Sequence, residues 1–237
     1  MSHIMLVSSQ KSEVGKTVIA LKAGIEFSKK NLNVLLVDLS FGKKKMSEYL
    51  DVNEDIIYDV KDVLDDTCSI NQGLLNINEK LSLLPFPRIP DKLGVLEKRS
   101  LSKLLEQARE KYDIIILDLN FENYFTCLDQ INSIVIVNNN DFSSVNNINN
   151  LINTANEFNI ENQFVVLNKY NKKEAKKGNM ITQNNIKKLI ECDIEGVIEI
   201  DPDYENFNYD YLISEQNNSF NSVLKNIMNK LSTVANF

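Results

Sequence analysis

The chain has 237 residues, a length that suits one large α/β domain. Hydrophobic residues make up 43% and charged residues 25%, as in ordinary globular proteins, and the net charge of −7 argues against binding of nucleic acid over most of the surface. No apolar run approaches the roughly 18 residues of a membrane-spanning helix, and the amino terminus has no signal-peptide pattern. We therefore expect a cytoplasmic protein with one domain over residues 1–237. We also expect reduced thiols at Cys68, Cys127 and Cys192, which lack metal or redox spacing.

The first 30 residues predict a strand, a loop and a helix. Residues 4–7 form a short apolar run typical of a buried strand, and residues 18–30 carry apolar side chains on one helical face. His3, the only histidine, lies near the terminus and is assigned no role. Between strand and helix lies the loop 8–17, SSQKSEVGKT. The first turn of a helix has unpaired N–H groups and a positive dipole end, so this loop is a candidate phosphate-binding site.

The end of this loop matches the P-loop pattern G-x-x-x-x-G-K-[ST], although Gln10 replaces the first glycine. Lys16 would place a positive charge beside the β- and γ-phosphates, and the Thr17 hydroxyl would be a ligand for Mg²⁺. We expect nucleotide contacts from the whole loop, that is from Lys11, Ser12, Glu13, Val14, Gly15, Lys16, Thr17 and Val18.

Lys11 gives the loop a second feature. A lysine directly after the first pattern position marks the deviant Walker A loop, K-G-G-x-G-K-[ST], but here Ser12 and Glu13 replace its two middle glycines. Both residues restrict the backbone where glycine is free, and Glu13 brings negative charge towards an anionic ligand. Two interpretations stay open: the loop binds ATP, or it keeps the fold and has lost ATP.

Two further apolar runs end in a carboxylate. Residues 34–37 lead into Asp38, and residues 112–117 lead into Asp118 in a Walker B pattern. Such runs are typical of parallel strands buried on both faces, and α/β folds place their ligands at the carboxyl ends of these strands. Asp118 can hold a water on Mg²⁺ or accept from the Thr17 hydroxyl, and Asp38 and Asp118 together with the Gly-Lys-Thr loop predict an Mg²⁺ site formed by Thr17, Asp38 and Asp118. The lysines at 43–45 either contact a phosphate or a partner, or belong to a solvated loop.

The rest of the chain alternates strands and helices. Strands are predicted at 81–86, 134–137, 164–167 and 197–200. Helices are predicted at 56–64, 100–112, 145–155, 186–190 and 220–234. Ser100 or Ser102 is the candidate cap of the second of these helices. The alternation predicts a single α/β domain with a doubly wound, mostly parallel sheet.

Over nearly its whole length the chain resembles the MinD branch of the MinD/ParA family of deviant Walker A (P-loop) ATPases. Besides the loop with Lys11 and Gly15-Lys16-Thr17, the similar segments are residues 34–42, 57–75, 81–92, 112–120, 133–152, 165–171, 178–190 and 195–201. This collinear likeness is more specific than the loop alone.

The resemblance implies an ATP-dependent molecular switch that forms a face-to-face homodimer over two ATP molecules. The implied catalytic residues are Lys11, Lys16 and Asp38. In this interpretation Lys11 reaches the partner's phosphates, Lys16 and the loop amides hold the bound ATP, and Asp38 and Asp118 act through Mg²⁺-bound water. Asn168 would meet the adenine edge, with Ile200 and Asp201 beside it.

The chain departs from the family pattern at several points. The family has Asp-x-Asp where this chain has Asp38-Leu39-Ser40, and serine is a poor base, so we expect weak hydrolysis or none. The segment 122–127 lacks the Pro-Gly-like turn that usually follows the Walker B strand. We expect the helix at 220–234 to cover the core, and membrane association is not expected from this chain.

The leading hypothesis is therefore a MinD-like switch or scaffold for spatial regulation, in cell division or subcellular positioning, with an unidentified protein partner. One alternative is a degenerate partner-binding module of a pilus, flagellar or partition localisation system. Another is a ParA-like, DNA-binding partition ATPase that uses Lys172, Lys173, Lys176, Lys177, Lys187 and Lys188. A redox donor with a bridging metal cluster is excluded because Cys127 has no second cysteine near it in sequence.

Overall fold

The computed structural model describes residues 2–119, 126–200, 208–214 and 219–235. Its strands are β1 (His3–Ser8), β2 (Val34–Leu39), β3 (Leu75–Asn78), β4 (Leu81–Leu84), β5 (Ile114–Leu119), β6 (Ser133–Asn138), β7 (Asn162–Tyr170) and β8 (Ile194–Glu199). Its helices are α1 (Lys16–Lys29), α2 (Met46–Tyr49), α3 (Val60–Leu64), α4 (Ile70–Gly73), α5 (Lys98–Arg109), α6 (Ser144–Glu157), α7 (Lys172–Lys177), α8 (Gln183–Leu189), α9 (Tyr209–Ile213) and α10 (Ser219–Ala235).

The strands form one mostly parallel sheet, as predicted. Within the described residues its order is β3-β4-β2-β5-β1-β6-β7-β8. Every neighbouring pair is parallel except β3 and β4, which are antiparallel. The strand β3 was not predicted, because this edge strand reads Leu-Asn-Ile-Asn and is only partly buried, so it has no continuous apolar run.

Helices cover both faces of the sheet. The central strands β1, β2, β5 and β6 are buried along their whole length, as expected from their apolar sequences. One face packs against α1 and α10, and the other packs against α3, α5 and α6. The apolar face predicted on α1, with Ile19, Ala20, Ala23 and Phe27, is buried as expected. Leu21 and Ile25 are buried as well, because α1 lies between the sheet, α9 and α10.

A buried lysine joins α1 to α9. The Lys22 side chain is 2% exposed and forms an ion pair of 2.8 Å with Glu26. Its ammonium also donates to the carbonyl oxygens of Leu212, at 2.6 Å, and Ser214, at 3.2 Å. These contacts compensate the desolvation of the charge and fix the end of α9 against α1.

Several helix boundaries differ from the predictions. The helix predicted at 56–64 begins only at Val60, because Asp59 caps it by accepting from the Lys61 and Asp62 amides, and Ile57 is exposed. Neither predicted serine caps α5, which begins at Lys98, and the Ser102 hydroxyl instead accepts a hydrogen bond from Gln130.

Two more expectations can be compared with the structure. Leu189, one of the apolar residues in the helix predicted at 186–190, is exposed at the end of α8. The three cysteines form no disulfide within the described residues, as expected. None of the described helices is long and apolar enough to cross a lipid bilayer.

His3 is part of the core, although the sequence analysis gave it no role. It is the first residue of β1 and is 6% exposed, and its Nε2 lies 2.9 Å from the Ser133 hydroxyl oxygen of β6. Burial lowers the pKa of His3 from 6.5 to about 4. The folded protein therefore keeps this imidazole neutral at a pH at which an exposed histidine is protonated.

His3 should therefore make stability depend on pH. Above pH 6.5 its contribution is fully present, and it is lost as the pH falls towards 4, since the unfolded chain binds the proton first. We expect the free energy of unfolding of the wild type to fall by about 2 kcal/mol more than that of His3→Gln between pH 7 and pH 4.5. Urea titrations of both proteins at each pH measure this difference, and parallel pH profiles would contradict it.

Candidate functional site

The loop at 9–15 connects the carboxyl end of β1 to the amino end of α1. Gly15 caps α1 with φ at 91°, a left-handed conformation that favours glycine. The first turn of α1 has no acidic residue and no side-chain cap. Its N–H groups and its dipole therefore face the loop without an acidic residue or a side-chain cap in the same turn, which suits an anionic ligand.

Two buried carboxylates lie beneath this loop. Asp38 on β2 and Asp118 on β5 are register partners on neighbouring parallel strands, and both are almost fully buried. Asp118 Oδ2 accepts from the Thr17 hydroxyl at 2.5 Å. Asp38 accepts from the backbone N–H groups of Ser40, at 3.1 Å, and Met46, at 2.9 Å. The three residues predicted as Mg²⁺ ligands are thus brought together.

The electrostatics of this pair fit a cation. Burial, followed by the charge of Asp118, raises the pKa of Asp38 to about 7, and burial raises the pKa of Asp118 to about 6. Within the described part of the chain, Asp118 Oδ1 is buried without a hydrogen-bond partner. Carboxylate and hydroxyl oxygens are the ligands that Mg²⁺ prefers, and a bound cation would lower both pKa values.

A cavity of about 510 Å³ opens above the carboxylates. Its lining combines the loop, the start of α1, the segment after β2 and one residue after Asn168: Ser9, Gln10, Lys11, Ser12, Glu13, Gly15, Lys16, Thr17, Val18, Ser40, Phe41, Gly42, Lys43, Lys44, Tyr49 and Lys169. Five of these side chains are lysines and one is a glutamate, so the cavity is suited to a strongly anionic ligand.

The predicted nucleotide-binding residues do not all line the cavity. Most of the predicted loop residues line the cavity, whereas Val14 is buried below it. Asn168 is fully buried and its side-chain amide donates to the Val14 carbonyl at 2.7 Å. Ile200 is about half exposed and does not line the cavity, and Asp201 lies outside the described residues. The adenine contacts of Asn168, Ile200 and Asp201 stay predictions.

The segment after β2 forms the opposite wall of the cavity. Lys43 forms an ion pair of 2.7 Å with Glu13 across the cavity, and the Lys44 ammonium lies 4.2 Å from the Tyr49 ring centroid. Lys45 donates to the Ser40 carbonyl oxygen at 2.7 Å and lies 3.6 Å from the centroid of Phe86. Lys43 and Lys44 therefore line the cavity, whereas Lys45 supports the segment from behind.

Lys11, the lysine of the deviant pattern, is bound within its own chain. Its ammonium forms an ion pair with Asp141, in the turn between β6 and α6, and lies 3.5 Å from Asn139 Oδ1. The Lys16 ammonium donates to the Lys11 carbonyl oxygen at 3.2 Å. Desolvation lowers the pKa of Lys11.

Asp141 and Lys169 were missed in the sequence analysis. Both lie at the carboxyl end of a parallel strand, Asp141 shortly after β6 and Lys169 next to the last residue of β7, where α/β folds place their ligands. The Lys169 ammonium donates to the Glu13 carbonyl oxygen at 2.8 Å. Position along the sheet was therefore the signal that could have identified them.

Comparison with known proteins gives concordant results. The profile of the CobQ/CobB/MinD/ParA nucleotide binding domain matches residues 5–210. A putative septum site-determining protein MinD from Emiliania huxleyi is 25% identical over 209 residues, which cover 86% of this chain and 76% of that protein.

Two solved structures share the fold. MinD in the MinC:MinD cell division complex of Aquifex aeolicus superimposes with a TM-score of 0.83 at 22% identity, over 98% of this chain and 96% of that chain. The septum site-determining protein MinD from Pyrococcus horikoshii, complexed with Mg-ADP, gives 0.81 at 17% identity, over 99% of both chains. At these identities the superpositions establish the fold.

Proposed function

The chain belongs to the family of CobQ/CobB/MinD/ParA nucleotide binding domains, and from this premise we propose that it is a MinD-like, ATP-binding molecular switch or scaffold. Its process would be spatial regulation, in cell division or subcellular positioning, and its compartment the cytoplasm. The switch would form a homodimer on binding Mg-ATP and would hydrolyse ATP weakly or not at all. An unidentified protein partner would recognise one of its states.

The observation that carries the proposal is the arrangement of Thr17, Asp38 and Asp118 beneath a lysine-lined cavity. Thr17 already donates to Asp118, and a second oxygen of Asp118 is buried without a partner among the described residues. When bound, Mg²⁺ would neutralise charge on the ATP phosphates, and these three residues would hold it. Lys16 and the amides of the first turn of α1 would bind the phosphates themselves.

Ser40 supports the proposal of weak hydrolysis. It lines the cavity and is 3% exposed, at the position where the family pattern has the second aspartate. A hydroxyl has neither the charge nor the basicity to orient and deprotonate an attacking water at neutral pH. The bound state would therefore persist longer than in a relative with aspartate at this position.

Lys11 supports the proposal of ATP-controlled assembly. In the structure Lys11 is paired with the Asp141 carboxylate of its own chain. To reach the phosphates bound by a second subunit, the Lys11 side chain would first have to break this ion pair. Phosphoryl groups attract such a cation strongly, since negative charge accumulates on them. Assembly would then depend on the ligand, because only the bound phosphates compete with Asp141 for Lys11.

Sedimentation with and without Mg-ATP tests this function. The protein should sediment as a monomer of 27.1 kDa without nucleotide and at twice that mass with Mg-ATP. Lys11→Ala should bind nucleotide but remain a monomer, since the variant removes only the charge that serves the second subunit. If the sedimentation mass of the wild-type protein is the same with and without Mg-ATP, the proposed ATP-dependent switch is contradicted and the partner-binding module is favoured.

The DNA-binding alternative gains little from the structure. Its candidate lysines lie on α7 and α8, but three are paired with carboxylates of the same chain: Lys172 with Glu199, Lys177 with Glu174 and Lys187 with Asp193. These pairs reduce the positive potential on which non-specific DNA binding depends. We therefore keep the MinD-like switch as the proposed function.

A further inference from the structure

Two consecutive carbonyl groups of the phosphate loop are held by two consecutive side chains at the end of β7. The Lys169 ammonium donates to the Glu13 carbonyl oxygen at 2.8 Å, and the Asn168 amide donates to the Val14 carbonyl oxygen at 2.7 Å. Asn168 is fully buried, and Lys169 lines the cavity. The loop is thus attached to the sheet immediately before Gly15.

The attachment coincides with unusual backbone conformations. Glu13 has φ at 59° and Lys169 has φ at 53°, in the left-handed region that residues other than glycine seldom adopt. The pairing of β7 with β8 is also irregular between Leu167 and Tyr170. Such conformations persist only where surrounding contacts determine them, and they are concentrated at binding sites.

Glu13 occupies a position at which the deviant Walker A pattern has glycine. Glycine adopts a left-handed conformation without a steric cost, whereas glutamate does not. The loop therefore needs an external contact to keep this geometry. The ion pair between Lys43 and Glu13 engages the side-chain carboxylate and not the backbone, so it does not fix the peptide group. The hydrogen bond from Lys169 is made directly to the strained peptide group.

We infer that Lys169 is a positioning residue of the nucleotide site. It holds Glu13 in the left-handed conformation, and Asn168 holds the next peptide, so that the loop amides stay aimed at the phosphates. These two hydrogen bonds thereby stabilise a backbone conformation that glycine would adopt without any support. The inference rests on the proposed binding of nucleotide by this loop.

A double-mutant cycle between Lys169 and Glu13 tests the inference. The readout is the affinity for a fluorescent, non-hydrolysable ATP analogue with Mg²⁺. Lys169→Met should weaken binding about tenfold in the wild-type background, because one hydrogen bond to a strained peptide is lost. The same substitution should cost less than about twofold when combined with Glu13→Gly, since glycine needs no support.

Three further variants isolate the cause. Lys169→Arg keeps a cationic donor and should bind the ATP analogue with nearly the affinity of the wild type. Glu13→Ala removes the carboxylate but keeps the side-chain penalty, so Lys169→Met should remain harmful in that background. Lys173→Met, on the exposed surface of α7, removes the same charge away from the cavity and should leave binding unchanged.

The possible outcomes separate the two proposals. Failure of the wild-type protein to bind the analogue would contradict the proposed function itself. Wild-type binding with no effect of Lys169→Met would overturn the inference alone. An equal loss in the wild-type and Glu13→Gly backgrounds would also overturn it, because Lys169 would then contact the ligand directly or support the fold as a whole.

Discussion

Replacing Ser40 with aspartate is expected to raise the rate of ATP hydrolysis at least about tenfold, since a positioned base contributes a factor of about 100 to 10,000 in enzymes. The side chain at this position lines the cavity. The Lys45 ammonium already donates to the carbonyl oxygen of Ser40, so a cation lies close to the new carboxylate. Phosphate release under single-turnover conditions, with ATP and Mg²⁺ saturating, measures the effect on the chemical step.

Ser40→Asn is the matched control for this substitution. It has nearly the same size as the aspartate variant but lacks the negative charge, so it should hydrolyse ATP no faster than the wild type. The aspartate variant should also be less stable without nucleotide, because it adds a third carboxylate beside Asp38 and Asp118. A wild-type rate as high as that of Ser40→Asp would contradict the proposal of weak hydrolysis.

Asp118→Asn is expected to have opposite effects on stability and on ligand binding. Burial raises the pKa of Asp118 to about 6, so at pH 8 the folded protein holds a charge that the unfolded chain exposes to water. The variant should therefore raise the free energy of unfolding of the nucleotide-free protein at pH 8 by about 1–2 kcal/mol. Mg²⁺-dependent binding of ATP should fall about 100-fold, because one of the three proposed Mg²⁺ ligands is lost.

The pH dependence identifies the origin of the stabilisation. The cost of the buried charge is fully present above the folded pKa of about 6 and disappears as the pH falls below the normal value of 3.8. The stability gain of Asp118→Asn should thus stay nearly constant from pH 8 down to about pH 6 and then decrease between pH 6 and pH 4, as measured by urea unfolding. Asp129→Asn, which removes a more exposed carboxylate paired with Lys98, should change stability little at either pH.

Loss of stability in Asp118→Asn at pH 8 would show that the buried carboxylate pair is not a source of electrostatic strain. Unchanged binding of Mg-ATP in this variant would exclude Asp118 from the metal site. The two measurements are independent, so each part of the prediction can fail alone.

The fold was largely predictable because its central strands are buried on both faces. Residues 34–37 and 114–117 are continuous apolar runs, and each is followed by an aspartate at the carboxyl end of its strand. This pattern, together with Gly15-Lys16-Thr17 at the start of α1, was sufficient to identify β1, β2, β5 and α1 and the three candidate Mg²⁺ ligands. The edge strand β3 was missed because it lacks such a run.

Helix ends and partners of polar groups were less predictable. Local spacing assigned Ile57 to a helix, but Asp59 caps α3 two residues later and leaves Ile57 exposed. His3 looked like a terminal residue, yet its partner Ser133 is 130 positions away in the chain. Contacts between residues so far apart in the sequence depend on which strands become neighbours, and no local sequence pattern contains that information.

By itself, the sequence therefore determined the strand pattern, the phosphate loop and the carboxylates beneath it, because burial periodicity and helix-start chemistry are local properties. Tertiary structure alone decided that Lys11 pairs with Asp141 and that Lys169 supports Glu13. The carboxyl ends of parallel strands bring together residues far apart in sequence, so these two contacts depend on which strands become neighbours and not on any local pattern.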